Sequence, residues 1–169
     1  VVFILPYFTL SSIILNLNPG TYTATATFGG DNEYAASSVA SQIKILPSIK
    51  ATDITKYYKG SQKYTATFFD SYGNVLKGIE VTITANGKSY TKKTNNKGVV
   101  TLALGFKPGN YQISATNPIT GYKSTNNVKI LSTISASNFK KVKEDSRKFT
   151  VKFLKSNGKD LINQKIKIK

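Results

Sequence analysis

From Gln62 to Phe69 the chain alternates: Tyr64, Ala66 and Phe68 fall on one face, Lys63, Thr65 and Thr67 on the other. A side-chain period of two is the signature of a half-buried strand. The same pattern recurs at Ile79, Val81, Ile83 and Ala85, at Val100, Leu102 and Leu104, and at Tyr111, Ile113 and Ala115. Turn residues separate the runs: Asp70–Asn74, Asn86-Gly87, Asn95–Gly98, Lys107–Gly109 and Pro118–Gly121. Asn-Gly between alternating runs is the strongest short hairpin signal. The pattern predicts seven strands, over 49–55, 62–69, 79–85, 88–94, 98–104, 110–116 and 122–131. Seven short strands in so short a stretch predict an all-β, two-sheet immunoglobulin-like sandwich. Tyr22 and Tyr111 follow shortly after Pro-Gly at the start of a late strand. That is the place of a tyrosine corner, in which the hydroxyl ties back to upstream backbone.

The pattern also repeats. Residues 45–83 align without gaps on 130–168, at an offset of 85. The matches include Ile49/Ile134, Ala51/Ala136, Lys63/Lys148, Phe68/Phe153, Gly73/Gly158 and Ile83/Ile168. Pro19–Tyr22 matches Pro108–Tyr111. The repeat predicts tandem units: 1–46 as the C-terminal half of one, 47–131 as a complete one, and 132–169 as the N-terminal half of another. Ile13–Leu17 aligns with Leu102–Phe106, which predicts a strand over 12–17. Residues 1–17 are strongly apolar but short for a membrane span and without flanking Lys or Arg, and 1–11 read as a truncated or aberrant remnant. The junctions Ile45–Ile49 and Ile130–Ile134 carry no Gly/Ser-rich spacer, and Pro47 restrains the first. Joints this short predict a stiff, extended array.

Asp70–Asn74, Gly78–Ile83, Thr94–Gly98 followed by Val-Val-Thr-Leu, and Lys107–Tyr111 resemble the immunoglobulin-like repeats of invasin- and intimin-type surface proteins (Big domains). The Lys- and Asn-rich usage looks most like the adhesin-like proteins of gut methanogenic archaea. The likeness covers residues 12–169. It implies repeats that form an extracellular, cell-surface stalk with neighbouring repeats as partners.

Composition narrows the chemistry. The 169 residues include no Cys, Met, Trp or His. Thiol and imidazole catalysis and His/Cys zinc ligation are therefore excluded. Lys and Arg total 24 against 8 acids, a net +16, and Arg147 is the one arginine. Bidentate reading of phosphate or guanine favours arginine, so a Lys-built charge speaks against a specific nucleic-acid reader. Residues 1–43 hold no Lys or Arg, so the charge belongs to the rest of the chain. A solvated coat that guards strand edges fits it best; docking onto anionic wall polymer or host glycan is the other reading.

Asp53, Asp70 and Glu80 are the acids of the complete unit, and Asp70 belongs to a turn. No catalytic pair is expected, nor a cofactor. Asp31, Asn32 and Glu33 are too few and too adjacent for the six to eight oxygens of a calcium site. A Lys–Asn amide crosslink would draw on Lys50 or Lys56 with Asn126 or Asn127, yet Glu80 points outward by strand parity. Tyr57, Tyr58 and Tyr72 are the aromatics off the inward pattern, placed to pack a turn or touch a partner. The expectation is a non-catalytic stalk segment of an adhesin-like surface protein. The alternative is a glycan- or wall-polymer-binding module of a larger surface enzyme. Head-to-tail self-association through the half units is a further possibility for partners.

Overall fold

The computed structural model describes residues 14–167. The chain divides between Pro47 and Ser48 into two compact units.

In the first unit, β1 (Gly20–Phe28) and β2 (Ser37–Ile45) form an antiparallel hairpin, in register from Gly20 opposite Ile45 to Phe28 opposite Ser37. Among the described residues this sheet has these two strands, and residues 14–17 form no strand. This corrects that part of the strand expected over 12–17. Residues 12 and 13 and the expected remnant 1–11 lie outside the described residues.

The second unit begins with β3 (Ile49–Ala51), β4 (Ile54–Tyr57), β5 (Lys63–Phe68), β6 (Glu80–Ala85), β7 (Lys88–Lys93), β8 (Val99–Ala103), β9 (Gly109–Thr116) and β10 (Lys123–Leu131). They form two sheets, β3-β5-β8 and β4-β10-β9-β6-β7. This is an all-β immunoglobulin-like sandwich. The alternating residues meet between the sheets: Tyr64, Ala66, Phe68, Ile83, Ile113 and Ala115 are fully buried, with Ile49, Val81 and Val128 nearly so. Lys88, Lys92 and Lys93 lie on edge strand β7, where lysine opposes edge-to-edge pairing.

The strand expected over 49–55 is in fact two. β3 runs antiparallel to β5 in one sheet, while β4 runs parallel to β10 in the other. Inward residues shift from Ile49 and Ala51 to Ile54 and Lys56, so the period of two breaks at Thr52-Asp53. Asp53 holds the crossing. Its carboxylate accepts from the Asn127 backbone N–H at 2.9 Å, Asn127 Nδ2 at 3.2 Å and Asn126 Nδ2 at 3.4 Å.

Beyond β10, β11 (Ile134–Ala136) and β12 (Val151–Phe153) pair antiparallel. Ile134 lies opposite Phe153 as Ile49 lies opposite Phe68, and the bridge Leu154–Asp160 matches Phe69–Val75. The bonds Leu154 N to Thr133 O and Leu161 N to Phe153 O likewise match Phe69 N to Ser48 O and Leu76 N to Phe68 O. The hydrogen bonding of 133–161 thus repeats that of 48–76 in the same register as the sequence.

Candidate functional site

The turns come first, because they hold the acids. Asp70 Oδ1 accepts from the backbone N–H groups of Tyr72 and Asn74, and Oδ2 accepts from Asn74 Nδ2. These bonds, that of the Asn74 amide foremost, hold the Asp70 carboxyl below its ordinary pKa. Asn95 does the same for Lys97 and Val99, and Asp31 for Glu33 and Tyr34. Asp31 therefore serves its own loop, and its neighbours Asn32 and Glu33 are exposed. Among the described residues no group of three or more His, Cys, Asp or Glu gathers where a metal ion would sit.

Both predicted tyrosine corners form. Tyr111 donates its hydroxyl to Lys107 O at 3.0 Å, and Tyr22 donates to Asn18 O at 2.7 Å.

The crosslink candidates sit on strands β3, β4 and β10. Lys50 is exposed on β3. Lys56 points inward and is 6% exposed. Its ammonium donates to Leu104 O at 3.0 Å and Gln62 O at 3.2 Å. Burial pushes its pKa down. In the parallel ladder Lys56 is opposite Ile130, four residues along β10 from Asn126. Four residues of strand span roughly 13 Å. Asn126 is engaged elsewhere, accepting from the Tyr64 hydroxyl at 3.2 Å and donating to Asp53. Burial raises Tyr64 to about 12, so it stays a neutral donor. Glu80 faces solvent at the start of β6, as its parity requires. The acid beside Asn126 is Asp53.

Sequence reasoning passed over three polar residues that organise the domain. Asn117 is fully buried; Nδ2 donates to Phe69 O at 2.8 Å and Ser48 O at 3.1 Å, and Oδ1 accepts from the N–H groups of Ile119 and Thr120. It fastens the start of the domain to two loops. The turn at Pro118–Gly121 was legible, but the long-range bonding of the preceding Asn117 was not. Thr94 Oγ1 accepts from the Ile79 N–H across the β6–β7 hairpin. Asp53 was legible only as an acid.

One groove, of about 520 Å³, lies across β4, β10 and β9. Asp53, Thr55, Asn110, Gln112, Asn127 and Lys129 line it. These amides, a hydroxyl and one ammonium can hydrogen-bond a hydroxylated ligand. They do not make an acid–base pair. The Asn127 N–H, then the two side-chain amides, hold the Asp53 carboxyl below its ordinary pKa. Tyr111 turns its hydroxyl to its own corner. Tyr58 packs against the core, Tyr57 is half-buried, and Tyr72 is 90% exposed at its turn.

A family model described as SpaA: Prealbumin-like fold domain matches residues 62–148, more than half of the chain. No curated protein matches it.

Proposed function

For this chain, which belongs to the SpaA prealbumin-like fold domain family, we propose a non-catalytic role as a segment of a cell-surface, extracellular stalk. Domains of this family occur in surface adhesin- and pilin-like proteins. The observation that carries the proposal is the parallel pairing of β4 with β10, Ile54 opposite Val128 to Leu131 opposite Tyr57. The first and last strands of the domain point the same way, so the chain enters at one end of the sandwich and leaves at the other. Tension between those ends loads all the bonds of this ladder at once, in shear, and does not unzip them singly. Such a unit both spans distance and resists pulling. The narrower kinship with invasin- and intimin-type repeats of archaeal adhesin-like proteins, and their tandem arrangement, belong to the same proposal. They rest on the turn motifs and the 85-residue offset.

A second reading, a glycan- or wall-polymer-binding module, is favoured by the polar groove beside Asp53 and Asn127. The two readings separate in a sedimentation assay of the purified chain with insoluble wall material and soluble acidic glycan. The stalk reading expects no binding, or binding lost at moderate salt because it is only the lysine coat that engages. Salt-resistant binding that Asn127→Ala and Gln112→Ala abolish would replace it with the second reading.

A further inference from the structure

The segment joining the complete domain to the next strands is two residues long, Ser132 and Thr133, between β10 and β11. It is not slack. Ser132 Oγ donates to Ile134 O at 2.6 Å and accepts from the Ile134 N–H. Thr133 O accepts from Leu154 N–H, and Leu131 O accepts from Tyr58 N–H. Both sides of the joint are tied to the bodies they leave.

Two glycines face across it. Gly158, in the turn after β12, lies under the Tyr57 ring: a Cβ there would collide with it, reaching Cδ2 at 3.0 Å and Cζ at 3.2 Å. Gly60, in the turn after β4, lies against the opposite turn, where a Cβ would come within 2.9 Å of Ser156 O. The φ of Gly158 is +81°, which by itself favours glycine. Gly60 has no such requirement, so it is space that excludes a side chain there, with Ser156 O and its own Tyr57 O as the near atoms.

We propose that Tyr57 and Gly60 of the complete domain, closed on Ser156 and Gly158 of the segment that follows, form a clamp that fixes the angle between consecutive immunoglobulin-like units. The partner this surface fits is the unit directly downstream, presenting a Ser-Asn-Gly turn. So small a contact would not hold separate molecules together. The two-residue tether makes it intramolecular, and a weak contact then suffices. The proposal rests on the stalk reading and adds to it the source of stiffness.

The chain has no cysteine, so two can be placed freely. Thr101→Cys on β8 and Lys152→Cys on β12, both exposed, take spin labels across the joint. Pulsed dipolar spectroscopy on the full chain, diluted with unlabelled protein, reads the distance distribution. The expected result is one narrow distribution, lost in Tyr57→Ala and in Gly60→Ala but kept in Tyr57→Phe, which retains the ring. Thermal unfolding of each variant checks that the domain still folds cooperatively. A broad distribution in the parent, or a narrow one that survives both Tyr57→Ala and Gly60→Ala, would overturn the clamp. Salt-resistant glycan binding would remove the stalk reading without touching this distance, so the two failures are distinguishable.

Discussion

Asn117 uses both its donor and acceptor sides while fully buried, donating to Phe69 O and Ser48 O and accepting from the Ile119 and Thr120 N–H groups. Asn117→Ala leaves several of these groups unpaired, and chemical denaturation should show a loss of about 2–4 kcal/mol. Tyr111→Phe removes one exposed hydroxyl bond from the corner and should cost about 1 kcal/mol or less. Lys56 carries a pH signature. Its folded pKa is lowered by burial, so between that value and its ordinary value the unfolded chain binds more protons. Its contribution to stability therefore rises with pH through that window and is flat below it. The parent should gain stability toward pH 10.5, and Lys56→Met should gain less, although both shed the repulsion of the surface lysines. Equal slopes in denaturant titrations across pH would mean that the Lys56 ammonium is not desolvated.

At the level of elements, Asp53 is the pin that moves the first strand between sheets. Asp53→Ala should raise the hydrogen-exchange rate of the Asn127 amide, whose partner is lost, while the β9–β10 ladder keeps its protection. Unchanged exchange at Asn127 would show that β4 is held by its ladder alone. The inner β strands were legible from alternation because one apolar face must meet the core, and a slip of one residue would expose it. The corners were legible from Pro-Gly followed by Tyr. The crossing at Thr52-Asp53 was not, because the chain stays extended through it and only a side-chain bond to a residue some seventy positions away fixes the change of sheet. The same holds for Asn117 and Lys56. A strand pattern marks which side faces inward but not which long-range acceptor waits there, so Lys56 was legible only as a candidate crosslinking amine.

For the whole molecule, the +16 charge is spread along the chain from Lys44 onward, not gathered at the groove, where Lys129 is the one cation. Such a coat supports solubility and salt-labile contacts more than a specific site. The central claim is mechanical: a domain loaded in shear through β4 and β10, without a covalent clamp between Lys56 and Asn126. The direct test is single-molecule stretching of the full chain between marker domains. One discrete unfolding event is expected, well above the forces that unzip hairpins, releasing roughly 30 nm of chain from the complete domain, at up to about 3.6 Å per residue. Gradual low-force extension would contradict shear loading, and a release of only a few nanometres would contradict the uncrosslinked domain.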